Sequence, residues 1–406
     1  MGDVTSVPDR LFTARFFVMC GFTFTVFLSA FQLLPTAPFR IRNLGGTTFA
    51  SGLFLGFLTY ASALSAPLTG ALADRIGRRR AMLIASAVIT LCSVGYAATS
   101  SVRLMLALVV VHGMFWSGLL SASAAYLTSL LPERRRAEGI AYWGLSSVAA
   151  VALAPPLGFW ILERGGWTWI CVSCGALNVL MGAIAWMLEE GDRVPARGDT
   201  DTPGAPLLEW RVLLLSLSLF LYSFGFGAIT SFSAVYADAL GLSPKSIYLT
   251  TLAVVILLTR PFSGKLADRI GYRLVFAPCL VFITGGLALL AVRGTFASVV
   301  ASAIVFGIGF GTAYPVFVAY VMRDVDPQRR GAAFGAILAA FDTGIGTGST
   351  TVGWLIQRFG FPVGFGTAAV LSAIALPYFL LVDRKLQAAT RVAILAAACA
   401  SRLLLW

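Results

Sequence analysis

The sequence predicts an all-α membrane protein with twelve transmembrane helices in two pseudo-symmetric six-helix bundles. Three observations carry that expectation. Of 406 residues, 58% are apolar and only 12% are charged, against about 25% charged residues in a typical soluble domain. The apolar residues gather in stretches of about 20, the length a helix needs to cross a bilayer. The second half of the chain also repeats motifs of the first. Apolar surface on this scale cannot be hidden in a soluble core. Lipid must take the place of water, and helices then satisfy the backbone polar groups.

In the first half the predicted spans are 14–36, 48–72, 80–99, 103–130, 138–162 and 168–188. In the second half they are 210–236, 247–267, 274–293, 296–322, 331–357 and 363–383. Between the halves, Glu189 to Glu209 is polar and rich in Pro, Gly and Asp, and reads as a linker. The expected layout is a first bundle over 1–188, a linker over 189–209, a second bundle over 210–390 and a tail over 391–406. The tail's apolar run is too short to span and suits the membrane surface. The first apolar stretch has span length and no small-residue cleavage site in the usual place, so it is read as a span.

A net charge of +12 would suggest nucleic acid in a soluble protein. Here the basic residues sit in short loops between spans, where topology explains them. With the N-terminus in the cytoplasm, Arg78-Arg79-Arg80, Arg134-Arg135-Arg136 and Arg329-Arg330 all fall inside. The outer loops then hold only Arg40, Arg42, Arg103, Arg164, Lys245, Arg293 and Arg358. An even number of spans returns the C-terminus to the cytoplasm. A cell-membrane protein is expected, in a bacterial inner membrane, with both termini inside.

The repeat is direct. The segment from Leu64 to Gly77, LSAPLTGALADRIG, aligns without gaps on that from Leu258 to Gly271, LTRPFSGKLADRIG. Each follows the second span of its half. Pro132-Glu-Arg-Arg-Arg136 matches Pro327-Gln-Arg-Arg330, each after a fourth span. Two related halves in the same orientation suit a transporter whose site lies between them.

Gly70-x-x-x-Asp74-Arg75-x-Gly77-Arg78-Arg79-Arg80 resembles the loop 2–3 signature of the major facilitator superfamily. The second copy contains Gly264, Asp268, Arg269 and Gly271, with Tyr272 where the first has Arg78. The resemblance covers roughly residues 12–385 and implies the major facilitator fold. In the fifth span, Ala154-Pro155-Pro156-Leu157-Gly158 looks like the Pro/Gly signature of the superfamily's twelve-helix drug–proton antiporters. That likeness implies efflux of a small molecule by an antiporter, with Pro155, Pro156 and Gly158 as a hinge. It also implies that Asp74 latches the two halves when the cavity faces outward. The sequence departs from the antiporter pattern at Val109, where that group has an Arg four residues before Gly113. Ala66 also stands where its repeat partner is Arg260.

The residues offer a short set of candidates for chemistry. Asp342 is the one carboxylate near the middle of a span, roughly 17 Å along its helix at about 1.5 Å per residue. A carboxylate at that depth is costly when charged, so it suits proton binding and release, or a cationic substrate. A structural Asp bonded to Thr343 is the plainer alternative. His112, the single histidine, lies near mid-depth in the fourth span and suits a proton relay, or an interhelical hydrogen bond. Arg260 could meet a substrate anion, pair with Asp342, or snorkel to the interface. Gln32, Trp116, Tyr222 and Phe226 are cavity candidates on the first and fourth spans of their halves. Gly70 is explained by close helix approach and Gly77 by a tight turn. Gly344-x-Gly346-x-Gly348 and Gly307-x-Gly309-x-Gly311 lie inside spans, so they read as closely packed helices and not as nucleotide loops.

Other classes fit less well. Cys171-x-x-Cys174 falls mid-helix and reads as packing. No zinc spacing or Walker loop is present, and one histidine rules out a two-His metal motif, so neither metal nor cofactor is expected. An enzyme is set aside, since the spans lack a paired carboxylate, a His cluster or a Ser/His constellation. The expected partners are a small-molecule substrate, protons and the bilayer, with no nucleic acid, and the chain is expected to be a monomer. An importer or uniporter of the same fold, or a non-transporting membrane sensor, remains the alternative to an exporter.

Overall fold

A computed structural model describes residues 11–132, 135–189, 210–292, 294–323, 325 and 330–403. For residues 74, 136, 137, 141, 330–332 and 387–403 it describes the backbone alone. The linker expected over 189–209 therefore lies outside the described residues except for Glu189.

Eleven helices make up the described chain: α1 (Ala14–Asn43), α2 (Thr48–Ile76), α3 (Arg78–Ala98), α4 (Val102–Leu130), α5 (Arg136–Met187), α6 (Trp210–Ala239), α7 (Ile247–Ile270), α8 (Tyr272–Val292), α9 (Phe296–Arg323), α10 (Arg330–Phe359) and α11 (Phe361–Leu403). The twelve predicted spans all fall on them, with ends shifted by a few residues. One helix carries two spans. α5 is broken at Gly166, whose φ of 73° no helix interior adopts, a conformation glycine reaches without Cβ strain. The arms before and after Gly166 are the fifth and sixth spans.

Side-chain oxygens set several helix starts. Thr13 accepts from the Phe16 amide at 3.2 Å, Thr47 from Ala50 at 3.0 Å and Ser101 from Leu104 at 3.4 Å. Each satisfies an amide that has no partner inside its helix. The α2–α3 and α7–α8 turns pass through Gly77 and Gly271, at φ 98° and 96°. The same Asp-Arg-Ile-Gly thus makes the same turn in both halves. α11 runs on without a break to Leu403, through most of the tail expected over 391–406.

Among the described residues, ten helices are long and apolar enough to cross a membrane. α10 is the exception, because its middle carries Asp342 and a run of Thr and Ser among its six glycines. Its neighbours explain the composition. α10 is packed between α6 of its own half and α2 of the other. A side chain at Gly344 or Gly348 would run into Ser223 or the Phe224 carbonyl of α6. One at Gly346 would meet Thr59 of α2. Small residues let helices approach to van der Waals contact where lipid supplies no hydrophobic drive between them.

α1 to α5 pack on one another, as do α6 to α11. The halves meet along α2–α10, α5–α7 and α1–α6. One end of the bundle carries Arg75, Arg78, Arg79, Arg80, Arg269 and Arg273 and is called here the basic end; the opposite end is the far end.

The internal repeat survives in three dimensions at the basic end. In the first half, the Tyr126 hydroxyl donates to the Glu189 carbonyl at 3.0 Å and Arg79 donates to the Trp186 carbonyl at 2.7 Å. In the second half, Tyr320 bonds the carboxylate of Asp383, and Arg273 pairs with it at 3.1 Å. Asp383 is buried, whereas Glu189 is exposed and pairs with Arg15. One architectural corner is sealed as an ion pair and its copy is left at the surface.

Candidate functional site between the halves

The α2–α10 seam is closed from the far end to mid-depth. Phe49 donates its amide to the Gln357 side chain at 3.0 Å. Ser349 donates to the Gly52 carbonyl at 2.8 Å and bonds Ser231 at 2.6 Å. Tyr60 and Thr347 share a bond of 2.9 Å. The last link is Ser62, which donates to the Asp342 carboxylate at 3.0 Å. Among the described residues, every polar contact between α2 and α10 lies at or outward of that pair. Beyond it, on the facing sides of the two helices, Gly70 of α2 and Gly335 of α10 have nothing within 4 Å of a Cβ. The sealed seam therefore ends at Asp342, and the halves part toward the basic end.

Aromatic rings line the level of that boundary. Phe226 of α6 stacks on Phe310 of α9 with centroids 4.3 Å apart. Phe341, next to Asp342, lies 4.9 Å from Tyr314 and 6.2 Å from Phe310. In the first half, Trp116 meets Phe27 edge-on at 5.6 Å, and Phe27 stacks on Phe31 at 6.1 Å. Phe24, Phe27 and Phe31 of α1 are half-buried, and their spacing puts them on one helical face. Such offset and edge-to-face pairs form a stable apolar wall.

Arg260 lies in α7 at a similar depth and is half-buried. It reaches across the seam: a Cβ at Gly144 of α5 would sit 3.8 Å from its Nη2. Of its three alternatives, the pair with Asp342 is not among the ion pairs of the described residues; Asp342 Oδ2 accepts from Ser62 of the other half. Tyr314 lies within electrostatic reach of both Asp342 and Arg260. The three polar groups thus share one region, with the Phe226–Phe310–Phe341 wall beside it.

Other candidates are placed elsewhere. Gln32 is fully buried, packs on Gly158 of α5 and accepts from Ser173 at 3.0 Å. Tyr222 is fully buried behind Phe310, against Phe276. Both support the wall from behind in this conformation. His112 is buried and its Nδ1 lies 3.3 Å from the Tyr96 hydroxyl of α3. Gly113 beside it is pressed on the Leu58 carbonyl of α2. Val109 is fully buried in the same far-end cluster. Pro155 and Pro156 lie inside an unbroken arm of α5, and Gly158 lets that arm meet α1.

The repeated basic-end motif is only partly engaged. Arg78 donates to the Ala125 carbonyl at 2.9 Å, and Asp268 accepts from Tyr272 at 2.7 Å. Arg75, Asp268 and Arg269 are exposed. The side chain of Asp74 lies outside the described residues. The close approach expected at Gly70 is not present: nothing lies within 4 Å of a Cβ there, nor at Gly264. The halves are apart at that end, so no helix is near enough to need a glycine. The CxxC cysteines are both free and buried, with the Cys174 thiol donating to the Ser29 carbonyl at 3.4 Å.

Sequence reasoning missed Ser62, Tyr314, Phe310 and Phe341. Ser62 sits in a run of Ala and Ser with nothing to single it out. The three aromatics are spaced as any lipid-facing rings could be.

Comparison with known proteins agrees with this architecture. The sequence profile of the Major Facilitator Superfamily matches residues 17–256 and 215–397. The Escherichia coli K12 protein YhhS, described as an uncharacterized MFS-type transporter, is 25% identical over 368 residues, covering 87% of this chain and 89% of its own. The uncharacterized MFS-type transporter MJ1560 of Methanocaldococcus jannaschii is 21% identical, covering 88% and 95%. Among solved structures, a bacterial homolog of the human lysosomal transporter Spinster superposes with a TM-score of 0.74 at 15% identity, over 91% of this chain and 96% of its own. The nucleoside transporter NupG superposes with a TM-score of 0.71 at 15% identity, over 91% and 99%. On the profile match, the twelve spans and the repeat at the basic end, this chain belongs to the Major Facilitator Superfamily of membrane transporters.

Proposed function

We propose that the chain exports a small, amphipathic organic molecule by alternating access, coupled to proton entry. The observation that carries the reading is the Ser62–Asp342 bond at the limit of the sealed seam. One carboxylate both borders the open cleft and ties the halves together, so its charge can bias which end is closed. An ionised Asp342 accepts the Ser62 hydroxyl; a protonated one loses the charge that strengthens that bond. The aromatic wall beside it suits an apolar or amphipathic body. The basic end is the cytoplasmic one, with both termini inside a cell membrane, following the positive-inside bias. In the alternate state the basic ends close, using Gly70, Asp74, Arg75, Gly77, Arg78 and Arg79 and their counterparts Gly264, Asp268, Arg269 and Gly271. The bundles over 1–188 and 210–390 then move as bodies about the linker, with Pro155, Pro156 and Gly158 giving the fifth span its flexibility. His112 is the second candidate for proton coupling, and the working unit is a monomer.

The test is proton flux in liposomes with a pH-sensitive dye inside and a panel of amphipathic compounds outside. Substrate-driven flux is expected in the parent protein and its loss in Asp342→Asn. Flux that persists in Asp342→Asn would move the role to His112. Movement of a compound with no proton flux would favour a uniporter, a reading that the absence of an Arg at Val109 also supports.

A further inference from the structure

The half-buried arginines Arg40, Arg78, Arg79 and Arg273 each end on a partner: the Thr99 carbonyl at 3.0 Å, the Ala125 carbonyl at 2.9 Å, the Trp186 carbonyl at 2.7 Å and the Asp383 carboxylate at 3.1 Å. Arg260 does not. Among the described residues it has neither a hydrogen bond nor an ion pair. Its guanidinium nevertheless sits at mid-span, against Gly144 of the opposite half. A guanidinium at that depth is costly unless it faces protein partners or water, and its five N–H donors call for an acceptor. Asp342, in the same region, accepts from Ser62 and forms no ion pair with Arg260. The residue opposite is a glycine, so α5 offers no side-chain acceptor at that point. The position is also specific to one half, since Ala66 stands at the repeat-related place in α2.

We infer that Arg260 receives the anionic group of the substrate, and that the cargo is an amphipathic organic anion whose apolar body lies along Phe226, Phe310 and Phe341. That the bound anion is carried rests on the transport reading above; that it binds does not. One further feature agrees: Tyr314, within electrostatic reach of Arg260, offers a hydroxyl to the same group. A planar fork suits a carboxylate or a phosphate or sulfonate oxygen pair better than a point charge would.

The experiment is equilibrium dialysis of the protein in lipid nanodiscs, with empty nanodiscs as the partition blank. The probes are two matched series on naphthalene and biphenyl bodies, each with an acetate, an acetamide and a methyl-trimethylammonium head. The acetate is expected to bind at least tenfold tighter than its two partners in at least one series, and less tightly at high salt. In Arg260→Gln that preference is expected to vanish while acetamide binding holds, which shows that the variant is folded. Arg260→Lys should keep part of the preference. Gly144→Asp, which supplies a carboxylate of the chain's own, should lower acetate binding as Arg260→Gln does. The inference is overturned if neither acetate outbinds its acetamide, or if the preference survives Arg260→Gln. Counterflow in liposomes is scored separately. Intact anion preference without counterflow would sink the transport reading and leave this site standing.

Discussion

The two ends of the α2–α10 seam use the same residue type to opposite effect. At the far end, glycines are filled in: a side chain at Gly52 would strike the Ser349 carbonyl, one at Gly56 the Thr350 hydroxyl, and one at Gly353 would lie 2.9 Å from Phe232. At the basic end, Gly70 of α2, Gly335 of α10 and Gly264 of α7 have nothing within 4 Å of a Cβ. A glycine in a helix costs about 0.5–1 kcal/mol relative to alanine. Close packing and interhelical hydrogen bonds offset that cost at the far end. At the basic end nothing in this conformation does. Such glycines make physical sense if the basic ends meet in another state, which alternating access requires.

Three substitutions sharpen or break that contrast. The largest effect on stability is expected from Gly52→Leu, which overpacks the sealed seam. Such changes cost typically about 1–3 kcal/mol, so the thermal unfolding midpoint in detergent should fall and transport should drop more than tenfold. An unchanged midpoint would show that the far end is not packed as described. Ser349→Ala is expected to act at the same place but more weakly. It removes the bonds to Ser231 and to the Gly52 carbonyl, and interhelical bonds of this kind average about 0.6 kcal/mol with a maximum near 1.7. Spin labels on the far ends of α2 and α10 should report a broader distance distribution; an unaltered distribution would mean the bonds do not hold the seam. Gly70→Leu should not lower the unfolding midpoint and should raise it, by about 0.5–1 kcal/mol, because its site is empty here and leucine is the better helix former. Its transport should nonetheless fall more than tenfold, since the added side chain blocks the other state. Full transport by Gly70→Leu would break the comparison.

Much of the fold was legible because lipid simplifies the physics. Every spanning backbone must be helical, so length and apolarity alone placed twelve segments on the right helices. The exact repeat of Ala-Asp-Arg-Ile-Gly foretold two identical turns, because a positive φ after a helix needs glycine in both copies. Asp342 and Arg260 stood out for a related reason: charge is rare at mid-span. Faces were harder to read. Gln32, Tyr222 and His112 sit on helices that border the cleft, yet each points into protein. Helical periodicity tells which residues share a face, but not which neighbour that face meets. The direct Arg260–Asp342 pair failed for the same reason, since Ser62 comes from the other half and carries no signal in its own segment.

The membrane setting, the twelve spans, the two-fold repeat and the two mid-span charges can all be read from the order of the residues. These depend on composition and short-range pattern, which the bilayer converts directly into structure. It took the packed helices to show that Asp342 accepts from Ser62, that Arg260 lies across from Gly144 with no hydrogen bond or ion pair among the described residues, and that the seam is sealed at one end and open at the other. Those are properties of how the helices of one half sit against those of the other. The contacts that set that arrangement, such as Ser349 on Gly52, join residues hundreds of positions apart.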